Sequence, residues 1–265
     1  MNPPLATYDS IGSGYNSRRS ADSRILARLE SLIGQPDSAR ILDVGAGTGN
    51  YTKALAERGY QLWAIEPSKL MIDSAADKEM ISWYLGAAEA LPFRDNFFDA
   101  TYCTLSLHHF SDQAKGIGEI YRVLKSGGRF VAFTSDPRRV PADFWMRTYF
   151  GELFEQAGDS FPSIAVLIKR LVACGFKEVV SEPYLIPADN EDGFFCSAWQ
   201  RPNDYLDQDY RNGISSFRLM APKRLETAIL SLKADLLSGR WEMQHGSIRN
   251  KRQYDGGYTF VAANK

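Results

Sequence analysis

The sequence predicts an α/β protein: a doubly wound, mostly parallel sheet beneath a mostly helical cap. Three observations predict it. Residues 41–50, Ile-Leu-Asp-Val-Gly-Ala-Gly-Thr-Gly-Asn, form an apolar run that ends in an acid and breaks into glycines on alternate positions, as a strand does when it runs into a ligand-holding turn. Strand-like and helix-like segments then alternate at crossover spacing as far as residue 136. Beyond it, two stretches, 137–160 and 187–257, interrupt the alternation, and the second is far longer than a hairpin connection needs.

The elements follow in chain order. After a glycine- and tyrosine-bearing start over residues 1–19, Ser20 begins an amphipathic helix with Ile25, Leu26, Leu29, Leu32 and Ile33 on one face, ended by Gly34 and Pro36. A first strand covers 40–45. Gly45, Gly47 and Gly49 let the main chain take positive φ and lie bare against a small molecule. Tyr51 to Arg58 reads as a short helix closed by Gly59. Further strands are expected at 61–66, 81–85, 98–105 and 128–135. Gly116 and Gly118 lie inside the helix before the last of these, where each weakens it by up to about 1 kcal/mol. Ile164 to Cys174 reads as a helix, Lys177 to Ile186 as a strand and Tyr258 to Ala263 as the final strand. Within the cap the best-defined helix is Pro222 to Leu237, with proline at its first position and Gly239 beyond its end.

The glycine spacing narrows the ligand. A dinucleotide fingerprint carries a glycine at the position Asn50 occupies, and a phosphate-binding P-loop ends in Gly-Lys-Ser/Thr, absent here. The second strand ends at Glu66, ahead of Pro67. An acid roughly 20 residues beyond such a turn accepts from the hydroxyls of a ribose. These residues describe a ligand with a ribose and no pyrophosphate.

At this point the chain resembles the class I S-adenosylmethionine-dependent methyltransferases, in particular their small-molecule branch typified by quinone-biosynthesis C-methyltransferases. The resemblance extends over most of residues 8–136 and rests on five motifs in order: Asp43 to Gly49, Glu66, the loop Gly86 to Phe93, the strand Phe98 to His109, and Glu119 to Gly128. It implies a seven-stranded sheet whose last strand is antiparallel, and S-adenosyl-L-methionine as cofactor. The cofactor-binding residues it implies are Asp43, Gly45, Ala46, Gly47, Gly49, Glu66, Pro67, Ala88, Glu89, Thr104 and Leu105. Where relatives carry an acid for the adenine amino group this chain has Ala87, which transfers that contact to the backbone at Ala88 and to Glu89. Tyr8 to Arg19 is similar to the N-terminal lid of relatives. Tyr15 could there offer its ring to the sulfonium, and Arg18 or Arg19 could pair with the carboxylate.

Methyl transfer from a sulfonium is an in-line displacement that needs no metal and no covalent nucleophile, and alignment alone supplies roughly 7–11 kcal/mol. A base is required only where the acceptor must lose a proton. His108 and His109 are the candidates, His109 first by resemblance; because neighbouring strand residues face opposite ways, one of the two enters the pocket. The other reading of that histidine is a scaffold that hydrogen-bonds backbone and shapes the cofactor wall. An adjacent pair converges poorly on one ion and His245 is distant, so no metal is expected. Phe144, Trp145 and Trp199 are the candidate acceptor contacts among the aromatics of the cap, whose other reading is core packing.

Bulk properties bound the rest. The chain has 265 residues, 44% hydrophobic and 24% charged, with a net charge of −1, and lacks the basic excess that meets nucleic-acid phosphates. Cys103, Cys174 and Cys196 are odd in number and scattered, as in a reducing compartment. No stretch has the pattern of a leader or the length of a membrane span. The expectation is a soluble, cytoplasmic monomer or homodimer acting on a small aromatic or lipophilic methyl acceptor at an O, N or C atom, without nucleic acid or membrane partners. The rivals are an RNA or protein side-chain methyltransferase and a non-catalytic cofactor-binding regulator. By boundaries, the chain divides into a lid and cofactor core (1–136), a cap segment (137–160), a core helix and strand (161–186), a cap insertion (187–257) and a last core strand (258–265).

Overall fold

The glycine-bearing strand lies at the point where strand order reverses. In the computed structural model, which describes residues 19–35, 38–76 and 78–265, β1 (Arg40–Val44) pairs parallel with β2 (Gln61–Glu66) on one side and with β4 (Phe98–Thr104) on the other. With β3 (Ile81–Leu85), β5 (Leu124–Ser135), β6 (Lys177–Pro183) and β9 (Tyr258–Asn264) they form a seven-stranded sheet of order β3-β2-β1-β4-β5-β9-β6. Strand β9 is antiparallel to both its neighbours. The turns after β1, β2 and β4 therefore open side by side along one edge, where such sheets bind ligands.

The helices cover the sheet in two layers. Helices α1 (Ser23–Ile33) and α2 (Asn50–Ala56) put Ile25, Leu29 and Leu55 into the core on one face; α3 (Lys69–Asp73) follows β2. On the other face α4 (Gln113–Val123) contributes Ile117 and Ile120. After α5 (Trp145–Ser160), α6 (Ile164–Cys174) adds Leu167 and Leu171 to that second face. Burial on both sides explains the apolar run from Phe260 to Ala263 in β9, of which Phe260 and Ala262 join one core while Val261 and Ala263 join the other.

Between β6 and β9 the chain leaves the sheet. A two-stranded ribbon, β7 (Ile186–Pro187) with β8 (Gln253–Tyr254), closes the base of the excursion. Within it lie α7 (Gln208–Asn212), α8 (Pro222–Leu237) and α9 (Arg240–His245). Packing of α8 against α5 joins this insertion to the segment after β5. Helix α5 is bent at Phe150, whose φ of −124° and ψ of 27° leave the helical region while its side chain is wholly buried.

Three local expectations change. Helix α1 starts at Ser23, because the Asp22 carboxylate caps it by accepting from Arg24 N at 2.9 Å; Ser20 is spent on Glu191 O. The strand expected over 177–186 ends at Pro183, and Ile186 pairs instead with Tyr254 in the ribbon. Strand β5 starts at Leu124, with a register irregularity opposite Phe98 and Ala100. Gly116 has a packing reason, since a Cβ there would stand 2.6 Å from Phe110 Cδ2. Nothing in the structure explains Gly118.

Candidate cofactor and acceptor site

A cavity of about 630 Å³ opens along the carboxyl edge of the sheet and continues under the cap, a size typical of small-molecule sites. Its floor is the turn after β1. Gly45 N and Ala46 N donate to Ile65 O at 2.8 and 3.2 Å, which ties the turn to β2. Gly45 has φ +74°, and a Cβ there would lie 2.7 Å from Ser106 Cβ; Ser106 Oγ in turn donates to Val44 O at 2.7 Å. Gly47 has φ +59°, and a Cβ there would meet no atom within 4 Å. Gly45 is therefore small to fit its neighbour, whereas Gly47 keeps bare backbone toward the cavity it lines. Gly49 does not line the cavity; it is the left-handed N-cap of α2.

Two carboxylates stand at the strand tips. Glu66 Oε2 accepts from Gly47 N at 2.9 Å and Oε1 from Ser68 N at 3.0 Å. Burial raises its pKa, and these two N–H groups oppose the rise. Asp43, on β1, is buried and accepts from Thr52 Oγ1 at 2.6 Å, while its Oδ1 has no hydrogen-bond partner among the described residues. Burial pushes its pKa up to about 7, with Thr52 and then Tyr102 opposing the rise and the charge of Glu66 adding to it. Pro67, Ala87, Ala88 and Glu89 complete this end of the lining. The Glu89 carboxylate lines the cavity and accepts from Ser111 Oγ at 2.9 Å and Asp112 N at 3.0 Å, both on Oε1, which braces the loop.

Beyond Thr104, which lines the cavity, Leu105 takes φ +51°. A non-glycine residue held there costs of order 1–3 kcal/mol and marks functional sites; its N–H donates to Phe133 O at 2.8 Å. The chain then turns through a single 3₁₀ turn, Leu107–His109, rather than continuing as a strand. The alternation expected for the two histidines is lost with it: both His108 and His109 line the cavity, with ring centroids 3.8 Å apart. His108 also stacks on Phe161, 3.7 Å between centroids. Burial, then the neighbouring His109, depresses the His108 pKa well below its usual value. The open face of His109 looks onto the cavity, and the protein packed around it lowers its pKa to about 4. Both imidazoles are neutral at pH 7.

The cap supplies the far wall, with residues other than those expected. Phe144, Trp145 and Trp199 are fully buried away from the cavity. Trp145 Nε1 donates to Trp199 O at 2.8 Å, Trp199 Nε1 donates to Ile186 O at 3.1 Å, and Phe144 stacks on Tyr254. These large rings hold the cap together because each indole N–H finds a carbonyl inside it. The apolar wall comes instead from Leu153, Phe154 and Phe161 of the α5 region and from Phe194, Phe195 and Leu219 of the insertion. Their aromatic content was legible in the sequence, but not which rings face inward.

Arg19 lines the cavity beside the turn, its Nε 2.7 Å from Asp192 Oδ1. Asp192 was not singled out by any sequence pattern; a lone acid in a loop carries no such signal. Tyr15 and Arg18 lie outside the described residues. Among the described residues no cluster of His, Cys, Asp or Glu could hold a metal, and no helix is long and apolar enough to cross a membrane.

The strand order, the bare turn with its two acids and the lack of a third fingerprint glycine define a nucleoside-binding methyltransferase fold. The protein belongs to the class I S-adenosylmethionine-dependent methyltransferases. The sequence model described as "Methyltransferase domain" matches residues 42–132. A solved structure described as a methyltransferase from an antibiotic biosynthesis pathway of Anabaena variabilis superposes with a TM-score of 0.90 at 34% identity, covering 94% of this chain and 100% of that one. The uncharacterized methyltransferase YcgJ of Bacillus subtilis is 37% identical over 98 residues, 35% of this chain and 39% of its own. A demethylmenaquinone methyltransferase of Clavibacter sepedonicus is 29% identical over 216 residues, 78% of this chain and 84% of its own. The chain spans less than two thirds of the length of YcgJ and of several other curated relatives it matches.

The family's cofactor, S-adenosyl-L-methionine, fits the residues present. The cavity side of Gly47 has room that a Cβ would take, Glu66 lines the cavity and keeps a second lone pair on each carboxylate oxygen beside its Gly47 and Ser68 N–H partners, and Asp43 Oδ1 is buried without a hydrogen bond among the described residues.

Proposed function

We propose that the protein transfers the methyl group of S-adenosyl-L-methionine to a small aromatic or lipophilic acceptor held beneath the cap. One observation carries the reading: a single cavity runs from the Gly45–Gly47 turn and Glu66 to the apolar wall of Leu153, Phe154, Phe161 and Phe195. Cofactor and acceptor would thus share one enclosed space in which reacting atoms are aligned. When bound, the cofactor supplies an electrophilic methyl group on a sulfonium. The protein's own part is to orient both partners and exclude water. The turn backbone and Glu66 hold the nucleoside side, and the aromatic rings hold the acceptor body. Neutral His108 and His109 can accept a hydrogen bond from an acceptor hydroxyl and steer it.

The charges of the lining favour some acceptors over others. Its acidic residues, Asp43, Glu66 and Glu89, all belong to the cofactor end, whereas the cap contributes Arg218 and no acid among the described lining residues. A protonated amine would find no counter-charge under the cap, so neutral or anionic acceptors are favoured. The printed name of the Clavibacter relative, a methyltransferase of demethylmenaquinone, supports a lipophilic ring acceptor.

The test is S-adenosylhomocysteine release from S-adenosylmethionine with a panel of phenols, quinols, aromatic acids and aromatic amines. Turnover is expected with hydroxyl- or carboxyl-bearing lipophilic acceptors, and Phe154→Ala should raise the acceptor KM about tenfold, the order of one lost aromatic contact, with cofactor affinity unchanged. Methylation of structured RNA or a protein, with the whole panel inert, would reject the reading.

A further inference from the structure

Three stretches of chain remote in sequence meet behind the glycine turn. Asp192, in the cap insertion, has a side chain only 1% exposed and forms an ion pair with Arg19, Oδ1 lying 2.7 Å from Nε. Tyr51 OH donates to its Oδ2 at 2.8 Å. Tyr51 is the second residue of α2, directly after the turn, and Asn50 Nδ2 donates to Arg19 O at 3.2 Å. Arg19 and Tyr51 line the cavity, whereas Asp192 does not. The same junction is fastened from outside. Glu191 N donates to Asp22 Oδ2 at 3.0 Å, Ser20 Oγ donates to Glu191 O at 2.9 Å, and Arg24 reaches Asp189 Oδ1 at 2.5 Å and Asp189 O at 3.1 Å.

We propose that Asp192 is a positioning residue for the amino-acid end of the cofactor, acting through Arg19 and Tyr51. The proposal rests on the cofactor reading of the site. S-adenosylmethionine carries its one carboxylate at the amino-acid end, away from the ribose that Glu66 marks. The arginines of the described lining are Arg19 and Arg218, and Arg19 is the one tied to the turn, through Asn50. A guanidinium binds a carboxylate best when its plane is fixed for parallel donation. The ion pair holds the guanidinium beside the Asp192 carboxylate, and the Tyr51 hydroxyl fixes that carboxylate. A buried carboxylate without partners is unfavourable; here a cation and a phenol hold it, so the Asp192 carboxylate is satisfied when Arg19, the turn and the cap are brought together. The cap, which walls the acceptor, thereby also sets the cofactor's far end.

Adenosine and S-adenosylhomocysteine separate this role from a structural one, because adenosine lacks the amino-acid end. Both are titrated calorimetrically into the wild type, Asp192→Asn, Asp192→Glu and Tyr51→Phe. In Asp192→Asn the affinity for S-adenosylhomocysteine should fall about tenfold or more, the order of one charge-assisted contact, while adenosine changes by less than about twofold and Asp192→Glu restores part of the loss. Equal weakening of both ligands, or undiminished S-adenosylhomocysteine affinity, overturns the proposal. Should Asp192→Asn fail to fold, Tyr51→Phe decides by the same criterion, with a smaller selective loss expected. A wild type that binds neither ligand would overturn the cofactor reading instead.

Discussion

Gly45 and Gly47 are two residues apart, both at positive φ, yet alanine should harm mainly stability at the first and mainly ligand binding at the second. Each substitution places a Cβ in the left-handed region, at about 1–2 kcal/mol. At Gly45 the new carbon would lie 2.7 Å from Ser106 Cβ and 2.8 Å from its Oγ. Ser106 must shift, straining the 2.7 Å bond to Val44 O, and overpacking of this kind adds about 1–3 kcal/mol. Gly45→Ala should thus lose roughly 2–5 kcal/mol of stability. Gly47→Ala meets no atom within 4 Å and should lose about 1–2 kcal/mol, but its methyl group enters the space of the cofactor. Urea unfolding with calorimetric titration of S-adenosylhomocysteine reads both. Gly47→Ala should be the more stable variant and the poorer binder relative to its stability, and Gly47→Val should abolish binding while staying folded. Equal destabilisation of the two alanine variants, or wild-type affinity in Gly47→Ala, would refute the placement of the ligand.

Two further predictions concern protons. Because the folded protein holds Asp43 at a pKa of about 7 against 3.8 in its ordinary state, the fold binds the proton more tightly than the unfolded chain. Its contribution is complete below pH 4 and disappears as pH rises through 7, by roughly 4 kcal/mol in all. Asp43→Asn should therefore gain stability relative to wild type progressively from about pH 4 to pH 7, while cofactor affinity falls; a pH-independent difference in urea midpoints over that range would contradict this. His109 is open to the cavity, yet the protein packed around it lowers its pKa to about 4, so it is already neutral at pH 6 and the acid limb of kcat/KM that it governs belongs near pH 4 and not at 6.5. If His109 accepts the acceptor's proton, His109→Ala should lower kcat about a hundredfold with little change in cofactor affinity. An acid limb at 6.5 that vanishes in the variant would refute the burial argument, and unchanged turnover would reduce His109 to scaffold.

The contrast between Gly45 and Gly47 shows where sequence reading stops. Both belong to one motif, and only the neighbour brought in from the end of β4, Ser106, makes one a packing constraint and the other an opening. The histidines repeat the lesson. Their nearness to the site was legible from the β4 motif, but alternation along a strand gave one inward ring, and a single 3₁₀ turn gave two.

By itself the sequence determined the sheet, the strand that carries the turn, the ribose acid and the class of cofactor, because these depend on periodicity and on residues close together in the chain. The tertiary structure alone decided which cap rings face the cavity, that Trp145 and Trp199 are core, and that Asp192 meets Arg19 and Tyr51. Those outcomes depend on contacts between residues far apart in the chain, 54 residues between Trp145 and Trp199 and 141 between Tyr51 and Asp192. A side chain's burial and charge partners there are set by how the cap packs, which no local pattern encodes.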